Sequence, residues 1–303
     1  MANIFYKIFD KKRYYEQRTV EKNRAKYLKY LEIIRPRLKL ISENIKKKNS
    51  ITFLHSGHLG DIINSLPLIK EISKTKKCIL LIQSNKKIIN NLETNHPFGN
   101  FYLNSNAVKK LIPLLKEQKY LENVYEYEKM PVDVDLDFFR DLGVNFNIDS
   151  IRWYFHLAGI HCDLTDPYIL VEKHKSISNK IIILRSLRRQ NKFINYNFLN
   201  NYKNLLFIGL KEEYISLKKE LPSLDYYNPE NFLELAQIIS GCKLFIGNLS
   251  FGYALAEAIK VPRLLESQPD FPLVYPNGKN AYDFYFQDHF EKLFAKLIKI
   301  SIF

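Results

Sequence analysis

The segment from Ile51 to Ile72, ITFLHSGHLGDIINSLPLIKEI, admits few folds. An apolar run, Ile51 to Leu54, leads into a turn holding Gly57 and Gly60. Asp61 then opens a segment with Ile62, Ile63, Leu66, Leu68, Ile69 and Ile72 apolar. That order describes a buried strand, a glycine turn and a helix. In an open α/β sheet, ligands bind outside the carboxyl ends of the strands, where such turns lie. A carboxylate on the first turn of that helix is placed for chemistry, which makes Asp61 the first catalytic candidate.

The pattern continues as alternating strands and helices. Strands are expected at Ile51–His55, Cys78–Gln83, Val124–Tyr127 and Val132–Asp137, with helices over 61–74, 105–118 and 149–159. A second series places strands at 180–185, 204–208, 242–247 and 261–265 and helices near 211–220, 230–240, 250–259 and 287–299. Such alternation builds parallel sheets with crossover helices. The expected organisation is a helical leader (1–49), a first Rossmann-like domain (50–175) and a second (176–303), hinged near His174–Asn179.

The 303 residues, 46% of them hydrophobic, suffice for two domains with cores of their own. No uncharged apolar run approaches the ~20 residues of a membrane helix, and the N-terminus lacks the apolar region of a signal peptide. Cys78, Cys162 and Cys242 are scattered among apolar residues, as buried thiols in a reducing compartment are. These features imply a cytoplasmic protein.

The net charge of +14 is unevenly placed: residues 1–50 hold fifteen Lys or Arg against five Asp or Glu, and the rest is close to balance. Tyr27, Leu31, Ile34, Leu38, Ile41 and Ile45 make one helical stripe, which Pro36 should kink or split. The stripe suits packing on the body or on a second subunit, and its basic setting suits peripheral contact of residues 1–48 with an anionic membrane surface. A body without a basic, aromatic-rich face argues against nucleic acid as the partner.

A second strand–turn–helix lies in ELAQIISGCKLFIGNLSFGYALAEAIKVPRLL, residues 234–265. Gly247, Asn248, Leu249 and Ser250 make its turn, Ser250 is an N-cap candidate, and Gly252 would let a ligand approach the backbone. A helix start with small residues is a phosphate site. With GHLGDIINSLPLIKEI at 57–72 and FIGLKEEY at 207–214, this stretch resembles the heptosyltransferase-like glycosyltransferases of family nine, over roughly residues 51–290.

The resemblance implies the GT-B fold, two Rossmann-type domains facing a cleft. It also implies inverting, metal-independent transfer of a sugar from a nucleotide-sugar donor to a glycan or lipid-linked glycan hydroxyl, with no cofactor, in glycan or lipopolysaccharide synthesis. Asp61 would be the general base, with Gly57, His58 and Gly60 on the acceptor side. Glu212 or Glu213 resembles the acid that contacts the donor's ribose, and Gly247, Asn248, Ser250 and Gly252 resemble the diphosphate site. Arg185, Arg188, Arg189 and Lys192 follow the first strand of the second series, where the family places a basic residue on the diphosphate; a solvated basic loop reads equally well from the residues. Guanidinium groups there could stabilise the leaving group.

The sequence departs from the family at Leu249, Phe251 and Ala254, where typical members carry Asp, Gly and His. The alternative reading is therefore a degenerate GT-B shell that binds a nucleotide or glycan without transferring it. Asp133, Asp135 and Asp137 alternate as a metal-binding strand could, and equally as a solvent-facing strand edge does. His55 with His58, and His156 with His161 and Cys162, offer no closed ligand set and read as site-wall or core residues. Trp153, Tyr154 and Phe155 read as helix packing. The last helix is expected to cross back to the first domain, as the family's does.

Overall fold

A computed structural model describes residues 4–88, 97–140, 148–271 and 273–300. Residues up to Lys47 form one compact unit and those from Lys48 on another.

The leader contains α1 (Ile4–Phe9), α2 (Lys11–Lys29) and α3 (Arg35–Lys47). Between α2 and α3 the chain is not split at Pro36, where a kink or a split was expected. It widens into a π-helical turn over Tyr30–Ile34, where the Arg35 amide donates to the Tyr30 carbonyl. A proline ring clashes with the carbonyl four residues back, and the wider turn absorbs that clash while the helix continues. The apolar stripe lies in the latter half of the leader; α2 carries no buried residue.

The larger unit holds two all-parallel sheets. The first has the order β3-β2-β1-β4, with β1 at Ser50–His55, β2 at Lys77–Ile82, β3 at Asn123–Glu126 and β4 at Val134–Asp135. Its helices are α4 (Leu59–Ser73), α5 (Ser105–Lys116) and α6 (Ser150–Ala158). The second sheet has the order β10-β9-β8-β5-β6-β7, built from β5 (Ile181–Leu184), β6 (Leu205–Ile208), β7 (Asp225–Tyr227), β8 (Leu244–Asn248), β9 (Arg263–Glu266) and β10 (Ala281–Phe284). Its helices are α7 (Lys211–Lys218), α8 (Phe232–Ser240), α9 (Phe251–Ile259) and α10 (Gln287–Ile300). Every residue of β5, β6 and β8 is buried, as strands covered on both faces must be.

Three expectations need correction. β7 and β10 are edge strands that the hydrophobic pattern missed, because AYDF and DYY mix aromatic and acidic residues. The final helix does not cross to the first sheet: Phe290, Leu293, Phe294 and Leu297 pack in one core with Ile183, Phe207 and Ile246 of the second. Phe284 and Phe290 stack with ring centroids 4.0 Å apart. The segment 174–179, read as a hinge, is tied to the end of α8. The His174 amide donates to the Gln237 carbonyl at 3.0 Å and the Asn179 amide to that of Gly241 at 2.8 Å.

Both sheets reverse their order beside their first strand. The switch points fall between β1 and β4 and between β5 and β8. Crevices for ligands form at such points.

Candidate active site

A cavity of about 600 Å³ opens where the two switch points face each other. Its first wall is the start of α4, with His58, Gly60, Asp61 and Asn64, joined by Lys110 and Arg140. The opposite wall is the start of α9, with Leu249, Ser250, Phe251, Gly252 and Ala254, joined by Arg188, Arg189 and Glu213. The helix starts nearly meet, since a Cβ built on Gly60 would lie 3.8 Å from that of Ala254.

Asp61 is the third residue of α4, and its Oδ2 accepts from the His58 amide at 3.3 Å. The same oxygen pairs with Arg140 Nη2 at 2.8 Å. Gly57 does not line the cavity; it makes room for this pairing, because a Cβ there would sit 2.9 Å from Arg140 Nη2. His58 Nδ1 lies 3.2 Å from the Tyr102 carbonyl oxygen.

Behind Arg140 stands a buried network. The Arg140 Nε donates to Asp137 Oδ1, while Asp137 Oδ2 accepts from the Ser56 amide at 2.6 Å and faces His55 Nδ1 at 2.9 Å. His55 Nε2 is 3.0 Å from the Tyr154 hydroxyl. The side chains of His55 and Asp137 are wholly buried. Burial alone would raise the Asp137 carboxyl, but His55 and Arg140 overcome it and hold the group well below the usual carboxylate range. Burial, opposed by Asp61 and Asp137, leaves Arg140 above its ordinary value.

Asp133, Asp135 and Asp137 therefore do not share a solvent-facing edge. β4 is only two residues long, and the chain then turns inward beside β1. Asp133 binds Lys48 and the Thr52 amide, Asp135 accepts from the Asp137 amide at 3.0 Å, and Asp137 enters the network. Among the described residues no group of three or more His, Cys, Asp and Glu could hold a metal ion.

On the second wall Ser250 is the N-cap of α9, its side chain accepting from the Tyr253 amide at 3.3 Å. Glu213 rather than Glu212 lines the cavity; it accepts from the Leu210 amide at 3.4 Å, and burial pushes its carboxyl up against the pull of that bond. The Arg189 guanidinium lies over the Phe271 ring, 3.6 Å from its centroid.

Other predicted donor residues serve the scaffold. Arg185 is buried behind the cavity, with Nε 2.7 Å from Glu266 Oε2 and Nη2 3.0 Å from Oε1, and its guanidinium lies 4.6 Å from the Tyr196 ring centroid. Asn248 spans the switch point, accepting from the Ser186 amide at 2.8 Å and donating to its carbonyl at 2.7 Å. A Cβ on Gly247 would be 2.7 Å from the Leu184 carbonyl oxygen, and one on Gly252 would be 2.3 Å from Leu184 Cδ1. These glycines serve the close packing of β8 and α9 on β5, and Gly252 still reaches the cavity. Lys192 is exposed and outside the lining.

Arg140, Lys110, Phe232 and Phe271 are wall residues that the sequence reading missed. Arg140 had a signal: it stands three residues after Asp137, the spacing of a carboxylate–guanidinium pair on one turn.

This arrangement is that of the two-domain GT-B class. The chain is similar to a family-nine glycosyltransferase from Veillonella parvula, at a TM-score of 0.54 and 9% identity over 83% of this chain and 89% of that one. It is similar to the Escherichia coli heptosyltransferase WaaC, whose structure holds ADP, at 0.52 and 9% over 83% and 98%. The E. coli ADP-heptose lipopolysaccharide heptosyltransferase II matches at 0.50 and 12%, over 84% and 100%. These likenesses show the fold. No protein-family model and no curated protein matches the sequence.

Proposed function

We propose that the protein is a glycosyltransferase that moves a sugar from a nucleotide-sugar donor to a hydroxyl of a glycan or lipid-linked glycan, with inversion and without a metal. The observation that carries this reading is one cavity walled by two helix starts, one bearing Asp61 and the other bearing Ser250 beside Arg188 and Arg189. Asp61 takes the proton from the acceptor hydroxyl. Its Oδ2 is held by Arg140 and the His58 amide, leaving Oδ1 for the acceptor. General-base assistance contributes typically ~10²–10⁴-fold.

The donor diphosphate lies at the start of α9, where unbonded amides and the helix dipole favour an anion. Arg188 and Arg189 neutralise the charge that grows on it as the glycosidic bond breaks. Glu213 is placed for a donor hydroxyl. The likeness to WaaC, whose structure holds ADP, supports this kind of donor. The basic leader is assigned peripheral contact with anionic membranes, supported by its charge excess, since no helix among the described residues could span one.

The test is a thermal-shift screen with ADP-, GDP-, UDP-, dTDP- and CMP-sugars on wild type, Arg188→Ala and Ser250→Ala. One nucleotide sugar should raise the melting temperature, and both variants should blunt the shift. A shift without transfer or donor hydrolysis would mark a binding shell, and no shift with any donor would overturn the reading. Co-sedimentation with phosphatidylserine vesicles, with and without residues 1–47, tests the leader.

A further inference from the structure

The geometry points to His55 as a positioning residue that, through Asp137 and Arg140, fixes the carboxylate of Asp61 at the cavity wall. This rests on the role proposed for Asp61.

The contacts link the core to the cleft, and Tyr154 closes them into a ring by also meeting Arg140 directly. Tyr154 meets His55 Nε2, His55 Nδ1 meets Asp137 Oδ2, Asp137 Oδ1 takes Arg140 Nε, and Arg140 Nη2 reaches Asp61 Oδ2. Nδ1 lies between Asp137 Oδ2 at 2.9 Å and the Gly57 amide nitrogen at 3.1 Å. The buried carboxylate, being the charged partner, favours a proton on that nitrogen, and with it the Tyr154 hydroxyl donates to Nε2. Each member is thereby held at two or more points, Arg140 also donating to the Tyr154 hydroxyl oxygen. Arg140 needs this, because an arginine side chain has four torsions and loses much rotamer freedom when it is immobilised. Its position is set by the buried carboxylate behind it, and its outer nitrogen holds the carboxylate in front.

His55 touches nothing in the cavity, so its effect is on alignment. A catalytic group held within about 0.5 Å of its productive place depends on such support, and a displacement of 1 Å can cost about a hundredfold. His55 ends β1 and Asp137 follows β4, so the switch point itself brings them together.

The test compares wild type, His55→Leu and His55→Asn. The Asn side chain can present an N–H near the place of Nδ1, whereas Leu presents none. With the donor found by the screen, His55→Leu should lower kcat between about tenfold and a hundredfold with donor KM within about twofold, and His55→Asn should recover most of it. An unchanged kcat, or a KM that rises as kcat falls with no recovery by Asn, overturns the proposal.

A second readout does not need activity. The Nε–H signal of Arg140, assigned by its loss in Arg140→Lys, should exchange slowly in ¹⁵N spectra of wild type and His55→Asn, and rapidly in His55→Leu. Equal protection in Leu overturns the proposal. If wild type turns over no donor while Arg140 behaves as expected, the transferase reading fails and the positioning stands.

Discussion

The two halves of the cleft use buried charge in opposite ways. In the first, the buried carboxylate Asp137 passes its hold forward through Arg140 to a group in the cavity. In the second, Arg185 is spent inward on Glu266, Tyr196 and the Ile194 carbonyl, and cavity charge falls to Arg188 and Arg189 further along the loop. The residue directly after a parallel strand is still at sheet depth, so it faces the neighbouring strand. Only when the chain has left the sheet does a side chain reach the crevice. An arginine's use therefore depends on how many residues separate it from the strand end.

Four measurements could break or sharpen that contrast. The largest expected effect is on catalysis: Asp61→Asn should lower transfer by about 10²–10⁴-fold while leaving the donor-induced thermal shift intact. Loss of the shift instead would make Asp61 a structural cap. On the other side, Arg185→Ala should act on folding, costing about 3–5 kcal/mol in urea denaturation, because it takes the guanidinium from the buried Glu266 carboxylate and leaves it only the Asn191 amide and the Tyr196 hydroxyl. A variant of normal stability that has lost donor affinity would put Arg185 in the site after all.

Gly57→Ala should have an intermediate effect, roughly tenfold on kcat, since the new methyl must displace the end of Arg140 and would lie 3.0 Å from Cε1 of the buried His55 ring. Wild-type turnover in this variant would show that Arg140 can reach Asp61 by another path. The smallest effect concerns pH. Asp149, the N-cap of α6, is pushed up to about 6 by burial, with Glu257 adding repulsion. The folded protein then binds this proton more tightly than the unfolded chain, whose carboxyl has a pKa near ~4, so stability falls as pH rises from about 4 to 6. Asp149→Asn keeps a capping side chain and should flatten that slope, by on the order of 1–2 kcal/mol between urea titrations at pH 4.5 and 7.

Much of this was legible in the sequence because the driving patterns are local. The glycine turn after β1, the serine cap of α9 and the alternation of apolar segments are each written within about ten residues. The two-sheet fold follows from them. What escaped depends on distant pairing. Arg185 looked like its neighbours Arg188 and Arg189 until β9 brought Glu266 beside it. Asp137 looked like a third surface aspartate, and only the placing of β4 against β1 buries it next to His55. Gly252 was read only as space for a ligand; it lines the cavity, but its missing side chain also makes room for Leu184 of another strand. Pro36 was read as a break because the π turn that absorbs it has no sequence signature.

The gap between Gly60 and Ala254 is one methyl group wide. Because Gly60 carries no side chain, the start of α4 faces the Ala254 methyl across the space that a Cβ would fill at ordinary van der Waals distance. An alanine at 60 would occupy that space without moving either helix start. A branched or aromatic side chain at 60 or 254 would instead have to push the starts of α4 and α9, and with them Asp61 and Ser250, apart.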